Sequence, residues 1–400
     1  MSKKIMILGA GILQLPAIQK AKEMGLEVIA VDMDEDAAGF PYADVAVKES
    51  TIDTPKVLEA ARKLNIDGIM TLASDMPMRT VSAVSRELGL VGISYDTALK
   101  ATNKVEMRNA LRQHNVPIPL YYKASGRKEF IEALQRLQAE GKRCIAKPAD
   151  NSGSRGVTLL KEYQPETIEK SYEYVKQYSR NGDVIVEEYM EGKEVSVETL
   201  SVDGVCHVIQ ITDKLTNGVP HFVEMGHNQP SVLDPDIKRE IERTACMAVH
   251  AVGIENGPSH TEIKVTPQGP KVVELGARLG GDNITTHLIP MSTGIDLVKC
   301  CIKIALGEKP DMKKRFNKGA AIRYFESKPG KLVLLQGIEK AKEIKGMKQI
   351  SFVKDIGSIV TDVRSSSDRI GFVIGQGENA EEAVKICEKA LEKIRIEVEE

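Results

Sequence analysis

Glu262 and Glu274 carry the chemistry that stands out first in this sequence. They lie between His260 and Arg278, where two runs of alternating apolar and polar residues flank Pro267, Gln268, Gly269 and Pro270. That pattern predicts a β-hairpin. Strand side chains alternate with period two, so an odd loop, residues 267 to 269, sets Glu262 directly opposite Glu274, and an even loop sends them to opposite faces. In the odd register His260, Glu262, Lys264, Glu274 and Arg278 share one face. Ile263, Val265, Val273, Leu275 and Ala277 form the other, which is core. Two carboxylates held that close repel unless a cation lies between them, and hard oxygen ligands suit Mg²⁺, with Mn²⁺ as a substitute. The same pattern also fits a solvent-facing hairpin with cross-strand Glu/Lys pairs.

A second constellation surrounds Lys147, which ends an apolar run just before a loop containing Ser152, Gly153, Ser154, Arg155, Gly156 and Val157. Backbone amides of such a loop can cradle phosphate oxygens, with hydroxyls and the guanidinium as further donors. An exposed turn is the alternative. No Walker A pattern occurs anywhere in the chain. Gly9 and Gly11 follow the first apolar run and Asp32 ends the second, as in a dinucleotide-binding turn. Gln14, however, stands where the third glycine of that fingerprint belongs.

These groups need a scaffold, and the hydropathy pattern predicts one of mixed class. Residues 5 to 8, 27 to 31 and 68 to 72 read as short strands alternating with helices at 14 to 24 and 54 to 64, the signature of a parallel α/β domain. A connecting helix is expected over 97 to 115. Beyond it strands at 144 to 147, 157 to 160, 183 to 187, 194 to 201 and 204 to 212 indicate mainly antiparallel sheet. Helices are expected at 127 to 140, 165 to 179 and 234 to 252. The tail from about 311 reads as a third unit ending in an amphipathic helix near 378 to 395.

The 400 residues, 42% apolar and 28% charged, suit two or three globular domains. A net charge of -2 exerts no pull on nucleic acid or anionic membrane, and no apolar run is long enough for a signal peptide or a span. Six scattered cysteines, without zinc spacing, fit a reducing cytoplasm.

The order of these features resembles the ATP-grasp superfamily of carboxylate-amine ligases: an α/β domain, Lys104, the Lys147 strand, the 152 to 157 loop, the linker from Glu187 to Glu194, and the acidic hairpin. The resemblance runs from about residue 1 to 310. It implies an N-terminal pre-ATP-grasp α/β domain (1 to 100), two α+β subdomains (101 to 190 and 191 to 310) and a small C-terminal α+β unit (311 to 400). By the same resemblance Lys104 and Lys147 would contact the ATP phosphates under a lid formed by Ser152, Gly153, Ser154, Gly156 and Val157. Glu187, with the main chain of Glu188 and Met190, would read adenine, and Glu194 the ribose. Glu262 and Glu274 would hold Mg²⁺, and Arg278 would steady the transferred phosphoryl group.

The stretch containing Lys214, Glu224 and His227, together with Asp368 to Gly375, is similar to the branch of L-amino-acid ligases. Glu224, His227 and Lys214 would then belong to the substrate site with Arg278. The implied reaction joins a small carboxylate to an amine through an acyl phosphate, releasing ADP and phosphate, in an enzyme that a homodimer would suit. Purine-pathway and carbamoyl-phosphate-synthase-like ligases share the same nucleotide motifs, and a nucleotide sensor without turnover is the non-enzymatic alternative. Many members of the superfamily carry asparagine where this chain has Gly276, which leaves open whether one metal ion binds or two.

Overall fold

The short apolar runs near the N-terminus pair as their pattern demands. In the computed structural model, which describes residues 2 to 399, β1 (Lys4–Leu8), β2 (Glu27–Asp32), β3 (Val45–Lys48) and β4 (Gly68–Thr71) form a parallel sheet in the order β3-β2-β1-β4. The strands β1, β2 and β4 are buried almost throughout, which is why they read as unbroken apolar runs. The helices α1 (Leu15–Glu23), α2 (Thr54–Leu64) and α3 (Pro77–Leu88) follow β1, β3 and β4. Asp53 caps α2 by accepting from the Lys56 amide.

The expected single helix over 97 to 115 is two helices, α4 (Tyr95–Thr102) and α5 (Lys104–Gln113). Asn103 between them adopts extended backbone angles, and its side chain accepts from the amides of Val105 and Glu106. It therefore ends one helix and caps the next, leaving Lys104 as the first residue of α5.

A second sheet, antiparallel and ordered β5-β8-β6-β7, comprises β5 (Tyr121–Ala124), β6 (Cys144–Pro148), β7 (Thr158–Leu160) and β8 (Val184–Glu188). With α6 (Arg127–Ala139) and α7 (Pro165–Gln177) it encloses its own small core around Phe130, Leu134, Tyr172 and Val186.

The rest of the chain builds on one long sheet. Its strands β9 (Lys193–Val202), β10 (Val205–Thr216) and β11 (Glu224–Gln229) precede α8 (Pro235–Val252), and β12 (Gly257–Thr266) and β13 (Gly269–Gly276) follow it. Next come α9 (Ile289–Thr293), α10 (Leu297–Ala305), β14 (Gly319–Tyr324), β15 (Gly330–Gln336) and α11 (Ile338–Lys342). The tail closes with β16 (Met347–Phe352), β17 (Ile359–Val360), β18 (Gly371–Gly377), α12 (Ala380–Lys393) and β19 (Arg395–Glu399). Eight strands hydrogen-bond in the order β13-β12-β9-β10-β11-β14-β18-β16, so the sheet runs unbroken across residue 311. The tail still has its own core around Phe325, Leu332, Val373 and Cys387, while β17, β15 and β19 make a separate small sheet. Beneath β9, β10, β12 and β13, α8 packs Ile241, Ala245 and Val249 against Val195, Val197, Ile211, Ile263 and Leu275. The opposite face of these strands is free to carry polar chemistry. No helix among the described residues is long and apolar enough to cross a membrane.

The hairpin reaches the anticipated pairing by an unanticipated route. Thr266 pairs with Gly269 and Ile263 with Val272, so the loop has an even number of residues and by itself would put the two glutamates on opposite faces. A β-bulge between Glu262 and Ile263 then inserts Val273 as an unpaired extra residue, and Glu262 faces Glu274 after all. The bulge also corrects the expected core set. Val272 is fully buried in the core beside Ile263 and Leu275, whereas Val273 turns to the cavity above the sheet.

Candidate active site

Side chains on the exposed face of the long sheet line up across strands. Lys264 pairs with Glu194 and Glu194 with Lys214, which in turn lies opposite His227. One step along, Glu274 pairs with Glu262 and Glu262 with Ser196, and a further step brings His260 opposite Glu198. His227 and Glu224 both lie in β11, because Glu224 to Gln229 supplies backbone bonds to β10 and β14.

These rows form the floor of a cavity of about 790 Å³ that the parallel sheet's turns and the β5-β8-β6-β7 sheet also border. Of the residues that the resemblance assigns to ATP, metal and substrate, all line it except Gly156. Gly156 has φ +75, and a Cβ there would fall 2.6 Å from Tyr178 and 2.8 Å from Pro148. Its part in the loop is to let the chain turn tightly against α7's end. Its neighbours Ser152, Gly153, Ser154 and Val157 do border the cavity.

Each acidic group on the floor is matched by a cation. Lys214, only 3% exposed, places Nζ 2.8 Å from Glu194, 2.8 Å from Glu262 and 3.3 Å from Glu224. Burial works against its charge, but the three carboxylates outweigh it and raise the ammonium well above its ordinary pKa. Burial would likewise raise Glu262; Lys214 and His260 instead hold it well below the usual carboxylate range. Glu274 receives Lys104 Nζ at 2.7 Å, and Lys104 also donates to the Asn151 carbonyl at 2.6 Å, tying α5 to the loop and the hairpin.

Behind the floor, further residues hold those that the resemblance assigns to the site; among them Asp75 follows a strand of the parallel sheet at its carboxyl edge, a place that also suits ligand binding or a helix cap. Arg278 Nε donates to Asp75 Oδ1 at 2.8 Å, and Asp75 comes from the turn after β4. At Gly276 a Cβ would lie 2.8 Å from that Asp75 oxygen and 3.2 Å from Arg278 Nε. A larger residue at 276 would therefore displace the ion pair, which accounts for the glycine. His260 Nδ1 is hydrogen-bonded to the fully buried Glu198; burial disfavours the imidazolium, yet Glu198 prevails and raises it to about 9. Asp282 accepts from Arg369 at 2.7 and 3.0 Å and lies 3.5 Å from His227 Nε2. Arg369 belongs to the C-terminal unit, donates to the Glu224 carbonyl and stacks 3.7 Å from the centroid of Tyr324. The tail thus completes the wall beside Glu224 and His227. Its sequence signal was the run from Asp368 to Gly375, noticed for its likeness and not for a charge.

At the other end, Glu187 is sealed. Arg108 Nε lies 2.5 Å from one carboxylate oxygen and Lys147 Nζ 2.7 Å from the other. Burial alone would push Glu187 up, but the two cations bring it down to about 2. Its side chain orients Lys147. The amides of Glu188 and Tyr189 are taken by the carbonyls of Leu120 and Arg143. In the N-terminal domain Gln14 fills the dinucleotide-type turn, with Nε2 donating to the Leu72 carbonyl at 2.6 Å and its side chain packed against Gly9. A pyrophosphate has no approach there.

Comparison with known proteins finds similarity to ligases. Residues 140–286 match the ATP-grasp domain and residues 323–399 the L-amino acid ligase C-terminal domain 2. The chain is 25% identical to a phosphoribosylamine–glycine ligase of Methanococcus maripaludis, over 99% of this chain and 94% of that one. It is 28% identical to an alanine–anticapsin ligase of Bacillus subtilis, over 65% of this chain and 58% of that one. Its fold superposes on the crystal structure of an L-amino acid ligase from Bacillus licheniformis with a TM-score of 0.85, at 22% identity, covering 100% and 99% of the two chains.

Proposed function

We propose, for a chain that belongs to the ATP-grasp ligases, that it joins the carboxylate of one amino acid to the amino group of another. The enzyme is an ATP-dependent, ADP-forming ligase that uses Mg²⁺. The observation that carries the reading is the bulged pairing of Glu262 with Glu274, which sets two carboxylates on one cavity floor with Lys104, Lys214 and Arg278 around them.

A metal ion suits that donor set. The two acids are opposed and face the cavity, and each now leans on a lysine that phosphate oxygens can draw away. Gly276 offers no side-chain oxygen, so Glu262 and Glu274 would be the side chains that hold the ion. Mg²⁺, when bound, supplies positive charge beside the β- and γ-phosphate oxygens.

The chain's own groups do the rest. Lys147, aimed by Glu187, and Lys104, aimed by Asn151, meet the phosphates, and the loop from Ser152 to Val157 closes over them. With the amides of Glu188 and Tyr189 already engaged, the Met190 main chain is the donor toward adenine. Glu194 accepts from the ribose. Arg278, braced by Asp75, faces the γ-phosphoryl group as the substrate carboxylate attacks it. ADP leaves and an acyl phosphate forms; positioning and fixed charge are the catalytic means. The substrate ammonium meets Glu224 and the pair His227 and Asp282. Loss of its proton frees the nitrogen to attack the acyl carbon, and phosphate departs with formation of the amide.

A second reading, ligation of glycine to phosphoribosylamine, is favoured by the near full-length similarity to the Methanococcus enzyme. Phosphate release from ATP and Mg²⁺ separates the two. Release with pairs of amino acids supports the first, and release solely with glycine and phosphoribosylamine supports the second. No release with any pair would sink both.

A further inference from the structure

The cavity extends beyond its charged floor to the carboxyl edge of the N-terminal parallel sheet. Several contacts fix that edge against the strands of the long sheet. Asp75 holds Arg278, and a Cβ on Gly281 would rest 3.6 Å from that of Ala73. Gln14 Nε2 reaches Ser74 Oγ at 3.2 Å, which sets the start of α1 beside the turn after β4. Asp32 accepts the Ala10 amide at 2.7 Å, bringing the end of β2 to the same place, and Asp32 pairs with Lys48 so that the turn after β3 lies alongside.

Three of these turns each put a large apolar side chain on the cavity wall. Leu13, Met33 and Ile52 line it while remaining 49%, 73% and 46% exposed. None of them packs into a hydrophobic core of the protein. Single exposed apolar residues are ordinary, but three converging from separate turns on one cavity form a patch that a ligand can cover. The nucleotide does not need it, because the adenine end has apolar walls of its own in Ile145, Met190 and Val273. A molecule filling the remaining space meets charge at Arg278, Glu224 and His227 and hydrocarbon at the far wall.

We propose that Leu13, Met33 and Ile52 form a subsite for the side chain of one amino-acid substrate, and that this substrate is aliphatic and large, of the leucine or methionine class. The assignment rests on the amino-acid ligase reading above. Covering such a side chain discriminates by roughly 10- to 100-fold between it and a small or polar one.

The test uses the full-length enzyme with ATP, Mg²⁺ and L-alanine paired in turn with L-leucine, L-methionine, L-serine or L-aspartate, following phosphate release. Leucine and methionine are expected to show kcat/KM at least about tenfold above serine and aspartate. Met33→Lys and Ile52→Lys, both at exposed positions, should each cut kcat/KM for leucine about tenfold while KM for ATP stays within about twofold. Equal use of serine and leucine by the unaltered enzyme overturns the proposal. So does a rise in KM for ATP in step with that for leucine, which would make the patch a landing surface for the loop from Ser152 to Val157. If no pair releases phosphate, the ligase reading fails by itself. Calorimetric titration of L-leucine in the presence of ADP and Mg²⁺ then judges the subsite separately. Binding that Met33→Lys and Ile52→Lys abolish upholds it, and no leucine binding to the unaltered protein overturns it.

Discussion

Two carboxylate and lysine sets face each other across the cavity, and they differ in how far they are sealed. Glu187 is 1% exposed and has Arg108 and Lys147 on its two oxygens. Glu262 and Glu274 are 23% and 31% exposed and open to the cavity, which their lysines, Lys214 and Lys104, also line. A sealed pair cannot exchange partners without leaving a bare charge in a medium of low polarity. An open pair can, since water and incoming phosphate oxygens compensate each charge as the lysine moves. The first arrangement therefore suits positioning a residue, and the second suits receiving a ligand.

That contrast can be broken most sharply at Glu274. Glu274→Gln should lower kcat by about a thousandfold, the upper end for loss of one group that acts on transition-state charge, while the thermal midpoint moves by no more than a few degrees. Near-normal phosphate release in that variant would remove the metal-binding role. The sealed set should respond in the opposite sense. Arg108→Met leaves Glu187 short of a partner and should cost about 3–5 kcal/mol of stability by urea unfolding. A variant within about 0.5 kcal/mol of the unaltered protein would mean that Glu187 is less enclosed than its contacts indicate.

Acid sharpens the same point. Glu187 has a folded pKa of about 2 against an ordinary value of 4.5, so its contribution is complete above 4.5 and is lost as pH falls from there toward 2. The stability gap between the unaltered protein and Glu187→Gln, roughly 3 kcal/mol near neutrality, should narrow over that window; a gap that is constant with pH would contradict the assignment. The smallest effect is expected at Glu194, which lies near the open set but is proposed to touch the ribose alone. Glu194→Ala should raise the apparent KM for ATP by roughly three- to tenfold, about the net worth of one ordinary hydrogen bond, with kcat little changed. An unchanged KM would leave Glu194 as a partner of Lys214 and Lys264 and nothing more.

Much of this was legible before any coordinates. The strand at 144 to 147, the helix over 54 to 64 and the long helix before the hairpin stand where periodicity put them, because each buries one face or both against a single neighbour. Lys104 was legible as a residue but not as a position. The cap at Asn103 that turns it toward Asn151 and Glu274 competes locally with helix continuation, and only packing against the hairpin decides the contest. Glu224 and His227 looked like loop residues because β11 contains glycine, histidine, asparagine and glutamine in place of an apolar alternation. Its strand character comes from neighbours on both sides.

Residue types and their order alone determined the kind of chemistry: paired acids, phosphate-seeking lysines, a glycine and serine loop, and the apolar rhythm of the elements that carry them. What tertiary structure decided was which partners those charges meet. The even loop at Pro267 and Gln268 favoured separating the two glutamates, and the bulge at Val273 reversed it, since without it Glu274 and Gly276 would take the core places that Leu275 and Ala277 fill. Asp75 and Arg369, some two hundred and ninety positions apart in the chain, brace two side chains of one cavity, Arg278 and Asp282, through the packing of separate domains. Strand register and domain docking are settled by burial summed over many residues, and no local stretch of sequence contains that sum.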